Sequence, residues 1–262
     1  MEIKLIEQLG LNDLDVVEAL IDDLENAVSL FNWLENINVS KNVREFFEKM
    51  QEFFPSTKNA YIESVKEYEK GVSVGDVTKD ISEGLFRSAL GAVVNGKVMG
   101  YAEPINEDSD FKVIKFEDKE GKEIFWHTTS HLMAAAIKEI WPDAKFAIGP
   151  AIESGFYYDI DLEHRFVPED LPKIEEKMKE IAKKDLKMVR KEISRNEALE
   201  YFKKENQEYK VELIEDLPED EIITLYEMGD NVFVDLCKGP HLLSTKSIKA
   251  IKLNSIAGAY WR

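Results

Sequence analysis

Apolar positions recur at helical spacing over the first part of the chain. In DLDVVEALIDDLENAVSLFNWL, residues Val16, Ala19, Leu20, Leu24, Val28 and Phe31 fall on one helical face. Phe46, Phe47, Met50 and Phe54 repeat the pattern, and Pro55-Ser56-Thr57 breaks it. Residues 1–57 are therefore expected to be a helical N-terminal extension, although Met1 to Ile6 also reads as a displaced strand. From residue 58 the pattern shortens. Strand-like pieces at Asn59 to Tyr68, Ala92 to Val94, Lys97 to Tyr101 and Phe111 to Phe116 flank a short helix starting near Val74-Gly75-Asp76. Asn95-Gly96 between apolar runs is a strong hairpin signal. Residues 58–116 thus read as a small β-grasp-like module.

The charged stretch EDKEGKE makes residues 117–124 a linker. A second domain, 125–262, follows. Its first element is a long helix from Ile124 to Trp141, ended by Pro142. Two strands turn around Ser154-Gly155, and amphipathic helices run over Pro168 to Asp185 and Arg195 to Asn206 with alternating KMVRKEIS between them. Short strands and turns are expected from Lys210 onward. The fold class is α+β, with the long helix packed on an antiparallel sheet.

Composition narrows the function classes. Of 262 residues, 44% are hydrophobic and 33% charged, ordinary for a globular protein, and no apolar run is long enough for a membrane helix. The acidic start lacks the basic and apolar regions of a signal peptide. With one cysteine the chain forms no internal disulfide, which points to a reducing, cytoplasmic setting. A net charge of −18 argues against non-specific coating of nucleic acid, yet Lys173 to Lys204 carries more basic than acidic residues and leaves room for a local RNA contact.

The chemistry concentrates in few residues. Three of the 4 histidines and the lone cysteine fall in two motifs, His127-Thr-Thr-Ser-His131 and Cys237-Lys-Gly-Pro-His241. The i, i+4 spacing puts His127 and His131 on one helical face. Gly239-Pro240 forces a turn that can bring Cys237 and His241 to a common centre, and Asp235 shares the strand face of Cys237. Such a set suits a tetrahedral zinc site or a group of proton shuttles around a water. The bland alternative is two satisfied histidines and an unrelated cysteine.

At these residues a family resemblance becomes specific. The two motifs occur in order with Ala147-Ile-Gly-Pro-Ala-Ile152, Ser154-Gly-Phe-Tyr-Tyr-Asp159, Tyr209-Lys210-Val211 and Ala257-Gly-Ala-Tyr-Trp-Arg262. Together they resemble the second additional domain of threonyl-tRNA synthetases, a relative of the alanyl-tRNA editing domains, and residues 60–116 resemble the TGS domain that precedes it. The segment Tyr61 to Lys66 lacks the Asp-Gly turn usual in the first TGS hairpin, and Leu236 and Lys238 stand where methionine and arginine are frequent. The resemblance implies hydrolysis of serine from mischarged threonine tRNA. It implies His127, His131, Lys210, Asp235, Cys237 and His241 as catalytic residues, with Tyr158, Gly149, Pro150 and Leu236 at the substrate. Editing is expected to need no cofactor; zinc, if bound, would sit on His127, His131, Cys237 and His241. The family motif ending at Arg262 leads into a class II nucleotide-binding core, so no ligase activity is expected of this chain alone, and a homodimer would form through that core. The rivals are the same module fused to a nucleoside-kinase-like domain, for which the chain holds no phosphate loop, and a non-catalytic RNA-binding or regulatory module.

Overall fold

A computed structural model describes residues 2–7 and 65–258 of the chain, the strand Glu2–Glu7 by its backbone alone. The helices expected between Val16 and Phe54 lie outside the described residues. The first described element is a strand, β1 (Glu2–Glu7), which bears out the displaced-strand reading of Met1 to Ile6. β1 pairs antiparallel with β2 (Val65–Glu69), with Glu2 opposite Glu69 and Ile6 opposite Val65. The connection between the two strands, residues 8–64, lies outside the described residues.

β3 (Val72–Ser73) leads into α1 (Val74–Ile81), whose first turn is capped by Ser73 accepting the Asp76 N–H. Ser82 caps α2 (Glu83–Ser88) in the same way. Strands β4 (Ala89–Val94) and β5 (Lys97–Met99) form the expected hairpin, with positive φ at both Asn95 and Gly96. β6 (Pro104–Ile105) pairs with β3, and β7 (Ser109–Lys115) completes the main sheet in the order β2-β1-β7-β4-β5. The β1–β7 pair is parallel and the others are antiparallel. Val74, Val77, Ala92, Phe111 and Ile105 fill the space between this sheet and α1.

The expected linker is largely helix. α3 spans Lys119–Ile140, five residues earlier than the apolar periodicity suggests. Gly121, which reads as a flexible linker residue, is there for packing: a Cβ at this position would collide with the Lys115 carbonyl. Buried residues surround α3, among them Leu132, Ala134, Ala135 and Ala136, so it is a core helix. It packs on α4 (Asp170–Lys183) and on the short pair β9 (Ala151–Ile152) and β10 (Gly155–Phe156). These strands lie between β8 (Lys145–Phe146) and its partner β11 (Ile160–Asp161).

β12 (Met188–Ile193) follows α4. α5 (Arg195–Lys204) opens with a capping box in which Ser194 and Glu197 satisfy each other's backbone N–H groups. α6 (Glu208–Asp216) replaces the strands and turns expected after Lys210. β13 (Ile223–Met228) and β14 (Phe233–Leu236) then complete a three-stranded antiparallel sheet, β12-β13-β14. Alternation along β14 divides its neighbours. Phe233 joins the core around α3, whereas Val234 and Leu236 pack on Ala198, Phe202 and Ile214 beneath α5 and α6. Among the described residues no helix is long and apolar enough to cross a membrane.

Candidate active site

Three elements meet at one point. α3 supplies His127 and His131, the first turn of α6 supplies Lys210, and β14 with the loop after it supplies Asp235, Cys237 and His241. The helix face and the Gly-Pro loop expected to converge do so. Cys237 Sγ lies 3.3 Å from His127 Nε2 and 3.2 Å from His241 Nε2. The ring centroids of His127 and His131 stand 4.2 and 4.3 Å from that of His241. One donor atom from each of His127, His131, Cys237 and His241 lies within 4.8 Å of the others.

Asp235 is the hub of the second half of the site. Its carboxylate ion-pairs with Lys210, accepts a hydrogen bond from the Tyr158 hydroxyl, and lies 3.2 Å from His131 Nε2. Lys210 Nζ also donates to the Tyr158 oxygen at 3.1 Å. Asp235, Lys210 and His131 are 2–3% exposed, so none of these groups is solvated by bulk water. Lys210 sits where the α6 dipole disfavours a cation, and the Asp235 carboxylate offsets both that and the desolvation.

Burial sets the protonation states. It drives His131 and His241 well below the ordinary imidazole value, and the neighbouring histidines push the same way. His127 is also lowered by burial, partly opposed by the Asp235 charge and a hydrogen bond to the Pro240 carbonyl. The Cys237 thiol is pushed up to about 12 by burial and by Asp235. Burial, with Asp235 beside it, likewise holds Tyr158 well above its usual range. At neutral pH the cluster is thus three neutral imidazoles and a thiol. With a carboxylate facing Nε2, the neutral His131 keeps its proton there, and its buried Nδ1 is left without a hydrogen-bond partner.

The substrate-side residues distribute unevenly. Tyr158 is inside the site, its ring laid on Gly149 so closely that a Cβ there would overlap it. The Gly149 carbonyl is 2.6 Å from the Ser130 hydroxyl, which ties the Gly149-Pro150 loop to α3. Leu236 is not at the histidines. It points to the opposite side of β14, into the α5–α6 core. Periodicity did not single out Thr128, whose hydroxyl is 3.1 Å from His241 Nδ1, or Tyr226, whose ring lies 4.4 Å from that of His241. Thr128 had a signal, since it is three residues before His131 and shares its helical face.

This domain pairing defines the class. A model of the TGS domain matches residues 63–115, and a model described as the threonyl and alanyl tRNA synthetase second additional domain matches residues 223–258. The second match contains Asp235, Cys237 and His241. The chain therefore combines a TGS domain with an editing-type domain. The proteins it matches are threonine–tRNA ligases. It is 63% identical over 199 residues to the enzyme of Finegoldia magna and 62% to that of Clostridioides difficile. A 51% match to the Syntrophomonas wolfei enzyme has the same extent. In each case the match covers 76% of this chain and 31% of the relative, so the chain spans about a third of the relatives' length.

Proposed function

We propose that this chain is the editing hydrolase of a threonine–tRNA ligase, a cytoplasmic protein that removes serine attached in error to threonine tRNA. The observation that carries this reading is the convergence of Lys210, Asp235 and three neutral imidazoles on one buried centre. The chemical problem is one methyl group. A pocket built for threonine rejects serine by only about 1–3 kcal/mol, so a second site that hydrolyses the smaller product is needed.

The site's own residues suffice for ester hydrolysis. A neutral imidazole, with His127 the most accessible, takes a proton from water as its oxygen bonds to the ester carbonyl carbon. Lys210 stabilises the negative charge that develops on the carbonyl oxygen. The tetrahedral intermediate then expels the ribose oxygen, which takes the proton from the imidazolium, releasing serine and tRNA. Asp235 holds His131 in one tautomer and pairs with Lys210. The ligase reaction, and pairing of two subunits through a core outside this chain, belong to the whole protein by the same proposal.

The experiment is release of serine from serine-charged threonine tRNA, with threonine-charged tRNA as the control. The expected result is selective release of serine and a rate reduced about 10²- to 10⁴-fold by His127→Ala. Equal hydrolysis of both substrates, or an unaffected variant, would refute the reading.

The four donors also fit zinc. A tetrahedral ion with sulfur and nitrogen ligands at roughly 2.0–2.3 Å places donors about 3.3–3.8 Å apart, and the Cys237 contacts at 3.2 and 3.3 Å are near that edge length. The unpartnered Nδ1 of His131 would be satisfied by it. Zinc held by all four of His127, His131, Cys237 and His241 would be a closed, structural site, and only with one of these donors displaced would it supply a polarised water. The hydrolysis we propose uses the residues alone, so a chelator should leave the deacylation rate unchanged. Loss of the rate with chelator, restored by zinc, would assign the chemistry to the metal instead.

A further inference from the structure

Thr128 has no part in the chemistry above, yet it is fully buried and touches His241. A threonine hydroxyl carries one proton and two acceptor lone pairs. Here all three directions are used. The proton goes to the Ile124 carbonyl at 2.9 Å. One lone pair accepts the Leu242 N–H at 3.0 Å. The third neighbour is His241 Nδ1 at 3.1 Å. Assigning the proton to the Ile124 carbonyl leaves the hydroxyl only able to accept from that nitrogen, and on this assignment Nδ1 is the protonated one. The neutral ring has a single N–H, and its Nε2 is therefore bare. That bare Nε2 is the atom 3.2 Å from Cys237 Sγ.

We infer that Thr128 is a positioning residue of this site: through one saturated hydroxyl it fixes His241 as the Nδ1–H tautomer and turns a lone pair toward Cys237 and the cluster centre. It also anchors the loop after Gly239-Pro240 to α3 at two points, His241 Nδ1 and the Leu242 N–H. Asp235 performs the corresponding task for His131 from the other side. Two imidazoles of the cluster are thereby held with known nitrogens facing inward, His131 by a carboxylate and His241 by a hydroxyl. The inference about catalysis rests on the hydrolase proposed above, whereas the tautomer stands independently of it.

The tests use the full chain and two variants. Thr128→Val keeps the shape and loses the hydroxyl; Thr128→Ser keeps the hydroxyl and loses the methyl. With ¹⁵N-labelled histidine, the ring-nitrogen shifts of wild type should report Nδ1–H for His241. Thr128→Val should show mixed tautomers, and Thr128→Ser should restore the wild-type pattern. In the deacylation assay kcat should fall on the order of 10- to 100-fold in Thr128→Val with KM nearly unchanged, and Thr128→Ser should regain most of the rate. An Nε2–H tautomer in folded wild type would overturn the inference, as would a Thr128→Val protein with native tautomers. Equal loss in both variants would also overturn it, because the hydroxyl that Thr128→Ser keeps would then not be what sustains the rate. If wild type releases no serine while its His241 is Nδ1–H, the hydrolase proposal fails and the positioning role remains. If Thr128→Val proves too unstable to assay, the wild-type and Thr128→Ser spectra still decide the tautomer.

Discussion

Asp235→Asn is expected to cost the protein about 3–5 kcal/mol of folding stability, the penalty for leaving one member of a buried ion pair without its partner. The amide cannot neutralise Lys210, which is 3% exposed and has no bulk water to turn to. It also presents His131 Nε2 and the Tyr158 hydroxyl with a weaker acceptor. Deacylation should disappear together with the stability. Because a destabilised enzyme loses activity for trivial reasons, the second variant is Asp235→Asn combined with Lys210→Met. Removing the orphaned cation should restore most of the stability and none of the activity. Urea unfolding of the three proteins measures the first quantity, and serine release measures the second. A single variant destabilised by less than about 1 kcal/mol would mean that the pair is effectively solvated, and the account of the site would fail with it.

Acid should unfold the metal-free protein earlier than its carboxylates require. His131 and His241 are held well below their ordinary value of about 6.5, and His127 is lowered too. Below that value the unfolded chain takes up protons that the folded chain refuses, so stability falls as pH falls. Above it both states are neutral at these residues and the contribution is flat. Each histidine adds a slope of at most about 1.4 kcal/mol per pH unit below that value. The carboxylates held low, Asp170 and Glu175 among them, act in a separate and more acidic window. Denaturant midpoints measured with chelator from pH 8 to pH 5 should therefore drop from near pH 6.5 downward. A midpoint unchanged to pH 5 would show that the imidazoles are already charged or solvated in the fold.

The cluster itself was legible in the sequence because it is built from local spacings. An i, i+4 pair on a helix and a Cys-x3-His turn each fix a direction for their side chains, and few other arrangements bring scarce residue types together. What surrounds the cluster was less legible. Lys210 reaches it from a helix of nine residues in which mainly Val211 and Ile214 face the α5–α6 core, too weak a periodicity to register. Gly121 was misread because composition cannot separate a flexible glycine from one pressed against a carbonyl. The first strand of the TGS sheet was ambiguous for a topological reason: its partner starts at Val65, and a pairing over that separation has no turn signature. Leu236 was placed at the substrate by resemblance, although the period-two alternation that put Asp235 and Cys237 together already assigned it to the other side.

That alternation binds chemistry and core into a single phase. Phe233, Asp235 and Cys237 look one way, and Val234 and Leu236 look the other. Inserting or deleting one residue inside β14, where no loop can absorb it, would exchange the two sets beyond that point. A carboxylate and a thiol would be driven into the oil beneath α5 and α6, while leucine and valine would face the imidazoles. The buried cluster is therefore protected by the same arithmetic that makes the domain fold: a frame error here would disrupt the site and the core together.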